Sequence, residues 1–93
     1  MFKIILKNGP EEVTKEAGDT PIFAMVEWED MRKSPKYQGQ PADLICTWKD
    51  EVILQHRFDS KPGDANFVPA DFDIMTLFYK AVGDNTEIKR SYV

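Results

Sequence analysis

Residues 45–58, "ICTWKDEVILQHRF", set two alternating apolar and polar runs on either side of "KDE". Period-two alternation marks a strand with one buried face, and two such runs this close together pair as an antiparallel hairpin. A lone hairpin is marginal in water and needs further strands or a covering helix. The rest of the chain must therefore supply more sheet and a second layer.

The pattern also selects a register. With "KDE" as a three-residue connection, Trp48 faces Val52, Cys46 faces Leu54 and Leu44 faces His56. Thr47 then pairs with Ile53, Ile45 with Gln55 and Asp43 with Arg57. A two-residue turn would set Trp48 against Glu51 and split the apolar residues between faces, so the pattern favours the longer loop.

Residues 2–7 read as another strand, short, rich in Ile and Leu, and stopped by "NGP". The polar "EEVTKEAGD" after it reads as an irregular loop or a weak helical turn. Residues 21–33 carry helix signals. Thr20 stands at the cap and Pro21 at the first position. Glu29 and Lys33 are spaced i,i+4, and Arg32 and Lys33 lie near the C-terminus. "AMVEWE" also alternates as a strand would, but start, stop and charge order together favour helix. "KSPKYQGQPAD" and "DSKPGDANFVP" are loops. Residues 69–82 form the second helix, with Pro69 at its start, Asp71 and Asp73 in its first turns and Gly83 after its end. Its apolar arc, which includes Leu77 and Phe78, is wider than one sheet face can cover. "TEIKRSYV" reads as a further edge strand.

These elements predict one small α+β domain over residues 1–93. An antiparallel sheet of three to four strands holds the hairpin at its centre, and the two helices pack mainly on one face. A chain of 93 residues buries roughly 60–65% of its unfolded surface, enough for one two-layer core. Its single cysteine excludes an internal disulfide, and the apolar start at residues 2–6 is too short for a signal peptide or a membrane span. The cytoplasm is the expected compartment.

The net charge of −4 disfavours nucleic acid, because phosphate neutralisation needs clustered cations. Arg32, Lys33 and Lys36 beside Tyr37 are the one local basic patch, and acids precede them directly. Cys46 and His56 fall on one hairpin face, the most specific catalytic arrangement the sequence offers. A mid-strand cysteine is nonetheless a core residue far more often than a nucleophile, and His56 reads as a half-exposed end to the apolar face. Neither residue type is numerous enough for a zinc site, and the acids lack calcium-loop spacing. No metal or cofactor is expected, and no catalytic residue is assigned.

The candidate binding residues are Glu27, Trp28, Glu29 and Asp30, where acids flank an aromatic ring, together with His56. The reading that follows is a non-catalytic protein-interaction module, an inhibitor or accessory factor acting through an acidic and apolar surface. A protein partner is expected, and so is a homodimer covering the last helix. The alternative is a small dimeric ligand-binding protein or enzyme with a pocket between sheet and helix.

Overall fold

The computed structural model describes residues 1–83. Four antiparallel strands form one sheet in the order β2-β1-β3-β4. These are β1 (Phe2–Asn8), β2 (Glu11–Glu16), β3 (Ala42–Trp48) and β4 (Glu51–Arg57), with α1 (Pro21–Arg32) after β2 and α2 (Ile74–Ala81) after β4. The α+β class, the strand at residues 2–7, the hairpin and both helices follow the sequence reading, but the hairpin is not central as expected: β3 lies inside the sheet beside β1, and β4 forms its edge. The "TEIKRSYV" strand lies outside the described residues.

β1 and β3 occupy the sheet centre, as their apolar content requires. Phe2 and Ile4 of β1, and Leu44 and Cys46 of β3, are fully buried. They join Ala24 and Trp28 of α1, and Ile74 and Phe78 of α2, in one apolar cluster. Phe2 lies 4.5 Å from the Trp48 ring and stacks on Phe78 at 5.3 Å. α1 also packs against α2, which covers part of the apolar arc of that helix.

β2 corrects the loop or helical turn expected for "EEVTKEAGD". Asn8 pairs with Glu11 across a two-residue turn in which Gly9 supplies a positive φ of 61°. A glycine there, followed by Pro10, suits a tight hairpin. Every β2 residue is exposed, so no apolar period signals the strand. Its main-chain ladder to β1 holds it.

The β3–β4 hairpin is shorter at its tip than the pattern implied. Asp43↔Arg57, Leu44↔His56, Ile45↔Gln55 and Cys46↔Leu54 pair as expected, and the Arg57 guanidinium reaches the Asp43 carboxylate at 2.9 Å. Beyond Cys46, Thr47 pairs with Val52 and Trp48 with Glu51, leaving Ile53 as the extra residue of a bulge. The turn is Lys49–Asp50, with φ of 50° and 68°. The odd residue sits in the strand, not in the loop. The bulge shifts the pleat by one residue and restores the apolar phase that a two-residue turn would have broken.

α2 begins at Ile74 and not at Pro69. Asp73 is the cap, its carboxylate accepting from the Met75 N–H at 3.1 Å and from the Thr76 hydroxyl at 3.0 Å. Pro69 instead opens a turn closed by the Phe72 N–H. α1 keeps its expected start, but the Thr20 side chain makes no capping bond.

Candidate functional site

The two sheet edges differ in chemistry. The β2 edge is blunted by Glu11, Glu12, Lys15 and Glu16, charges that oppose further strand pairing. The β4 edge presents "VILQ", residues 52–55, and Val52 is 59% exposed. No described strand lies beyond it. In its place the 65–69 segment runs alongside, and the Arg57 N–H donates to the Asn66 carbonyl at 2.8 Å. Between strand and segment lies a groove of about 400 Å³. Its floor and walls are Val52–Gln55, Ala65–Pro69 and Phe72.

The far wall is held from the core. The Val68 N–H donates to His56 Nδ1 at 3.0 Å, and the Val68 carbonyl accepts from Arg32 Nε at 2.9 Å. Both side chains are buried. The His56 ring meets Phe58 and Phe67 edge-on at 5.0 and 5.2 Å, and the Arg32 guanidinium lies 5.5 Å from the centre of the Phe67 ring. Burial pushes the His56 pKa down to about 4, with the Arg32 charge adding to the effect and Asp43 opposing it. Burial also lowers the Arg32 pKa, against the pull of Glu29. Among the described residues no buried side-chain nitrogen or oxygen lacks a partner.

His56 is therefore 1% exposed, which corrects the half-exposed placement expected at the end of the apolar face. Trp28 is equally buried, so its ring is core and not a surface platform between acids. Cys46 is fully buried, and burial pushes its thiol pKa up to about 12. Arg32 is turned inward and Tyr37 packs on Phe58 at 5.8 Å, so the basic patch read at Arg32, Lys33, Lys36 and Tyr37 is reduced to its lysines. Among the described residues no titratable side chain lines the groove. No group of three metal-binding side chains comes together among the described residues, and no helix there is long and apolar enough to cross a membrane.

The three acids stay on the outside of α1. Glu27 reaches Lys15 of β2 at 2.7 Å, and Glu29 reaches Lys33 at 2.8 Å in the expected i,i+4 pair. Asp30 forms no ion pair among the described residues. Beside them the structure shows a feature that the helix signals concealed. Ile22, Phe23 and Val26 are 56%, 69% and 52% exposed. At about 100° per residue they and Asp30 project opposite the buried stripe of Ala24, Trp28 and Arg32. α1 is thus apolar on two faces, where a surface helix of a monomer ordinarily keeps one. The signal was present in "PIFAMVEW", whose apolar residues are too many for one stripe.

No protein-family model matches this chain, and no curated protein or solved structure shows significant similarity to it.

Proposed function

We propose that the protein is a non-catalytic interaction module that binds another protein through the outer face of α1. The carrying observation is the exposed triad Ile22, Phe23 and Val26 with Asp30 beside it. A phenylalanine 69% exposed in the first turn of a helix is the kind of aromatic that anchors interfaces. The neighbouring Glu27, Glu29 and Asp30 suit a partner whose apolar recess has a basic rim. We take both helices to share one sheet face, a reading supported by their common cluster and their mutual contact. The inward placement of Cys46 and His56, and a groove lined by no titratable group among the described residues, favour binding over catalysis. The acidic overall balance fits a protein partner better than nucleic acid, and cytoplasmic residence remains part of this proposal.

The test is a pair of surface variants, Phe23→Ser and Val26→Asn. Proteins captured from the native host by the wild-type chain are identified, purified and titrated against all three forms. Each variant is expected to fold with an unchanged urea midpoint and to bind at least about tenfold more weakly, the loss of one interface anchor. Equal affinity of wild type and variants for every captured protein would reject this surface. A mass near twice 10.7 kDa that Phe23→Ser halves would make the partner a second copy.

A further inference from the structure

We infer that the groove beside β4 takes an extended peptide from another protein as an added edge strand, apolar in alternation and basic at its ends. This surface is distinct from the α1 face, so the two readings stand or fall separately.

Three observations converge on that occupant. The first is the edge itself. Arg57 directs its N–H outward to Asn66, so by the alternation of an antiparallel ladder Gln55 also directs its main-chain groups away from β3 and toward the groove. An edge strand in that state is a template for another strand, and native proteins ordinarily disarm it with charge. β2 is so disarmed, whereas residues 52–55 carry Val, Ile, Leu and Gln.

The second is the preformed wall. Val68 is fixed through both of its main-chain groups, by His56 and by Arg32. The groove therefore does not have to be ordered at the moment of binding, which removes part of the usual cost. Its apolar side chains, Val52, Leu54, Phe67 and Phe72 among them, suit the alternate side chains of an extended peptide.

The third is charge. The residues that adjoin the lining segments in sequence include Glu51, Asp64, Asp71 and Asp73, all exposed. None of the four forms an ion pair with a Lys or Arg among the described residues. Lys or Arg at both ends of the incoming strand would meet these carboxylates, and an acidic peptide would be repelled.

The test uses the full chain and labelled synthetic peptides. The parent probe is Lys-Val-Thr-Val-Thr-Val-Lys. A second replaces both lysines with glutamates, and a third is N-methylated on alternate residues to remove the ladder donors on one edge. Fluorescence anisotropy gives affinity and amide shifts locate the site. The parent is expected to shift Val52, Gln55 and Phe67 and to bind about tenfold or more tightly than the glutamate form at low salt, with a gap that narrows as salt is added. N-methylation is expected to weaken it at least about tenfold, the loss of two or more hydrogen bonds. Val52→Lys, at an exposed position, is expected to weaken the parent while Phe23→Ser leaves it unchanged.

The proposal is overturned by absence of saturable binding to any probe, or by equal affinity of the parent and N-methylated peptides. It is also overturned by nuclear Overhauser contacts in the free protein that place residues 84–93 against Gln55, because the chain then fills its own groove. A dimer that Val52→Lys dissociates would assign the edge to a second copy and reject the foreign peptide.

Discussion

The main-chain N–H of Val68 donates to His56 Nδ1 at 3.0 Å. An imidazole nitrogen accepts only when it carries no proton, so the ring is neutral with its hydrogen on Nε2. The only histidine of the chain is thus not at the surface. It is a buried acceptor that ties the 65–69 segment to β4, while Arg32 ties the same residue to α1. Two polar side chains that sequence reasoning left partly exposed, His56 at the end of the apolar face and Arg32 in a basic patch at the helix end, are buried and together build the wall of the groove.

The first prediction concerns pH. The folded-state pKa of His56 is pushed down to about 4 from 6.5. Between those values the unfolded chain binds the proton and the folded chain refuses it. Stability from this group is complete above pH 6.5, falls as pH drops, and stops falling below about pH 4. The full shift corresponds to roughly 3–4 kcal/mol, since each pKa unit is worth about 1.4 kcal/mol. Urea unfolding of wild type and His56→Gln at pH 7, 6, 5 and 4 checks it. The amide can still accept from Val68 but does not titrate, so its curve should be flatter across this window. Parallel curves would show that His56 is not held neutral.

The sheet was legible where residues alternate and the helices where caps and charge order agree. β2 was not, because "EEVTKE" buries nothing and pairs with β1 through its main-chain ladder, with only surface ion pairs beside it. The hairpin tip misled for a different reason. Apolar phase counts residues but does not say whether the odd one lies in the loop or in a bulge, and here Ile53 occupies the bulge. The acids of α1 were read on the surface and lie there, but Trp28 between them is inside. Adjacent helix positions differ by about 100°, so sequence proximity gave these four residues no common face. The groove had no local signature. It arises from segments far apart in sequence, brought together through Val68.

A second prediction follows from the tip. Lys49 and Asp50 both hold positive φ, a region that favours Gly and Asn. The Asp50 carboxylate is 90% exposed and its contact with Lys3 is long, at 3.8 Å, so little is lost with that side chain. Asp50→Gly is therefore expected to stabilise the fold by about 0.5–1 kcal/mol through relief of backbone strain. The urea midpoint should rise with the slope unchanged. A lower midpoint would show that the turn is not strained at this position.

Cys46 supplies the third. It is fully enclosed, and its thiol pKa is pushed up to about 12, so thiolate is scarce at neutral pH. Labelling by a disulfide reagent in native buffer is expected to be negligible over hours and complete within minutes in urea. Native labelling at the rate of a free thiol would refute the buried placement and reopen nucleophilic chemistry.

The last prediction separates two neighbours on α2 that the apolar pattern alone treats alike. Phe78 is fully buried and stacks on Phe2, whose ring meets Trp48 in turn. Leu77 only packs against the edge of the same cluster. Phe78→Ala is expected to cost about 3–5 kcal/mol, combining lost burial with a cavity that the three-ring stack cannot close. Leu77→Ala should cost less, about 1–2 kcal/mol, because solvent already reaches that site and fills part of what is removed. Chemical denaturation of both variants gives the comparison, and near-ultraviolet circular dichroism reports the Trp48 environment, which Phe78→Ala should alter and Leu77→Ala should not. Equal costs for the two would mean that α2 is rotated from its described setting. A small cost at Leu77 accompanied by loss of a dimer would instead place that residue at an interface between copies, the role that the wide apolar arc suggested before α1 was seen to cover part of it.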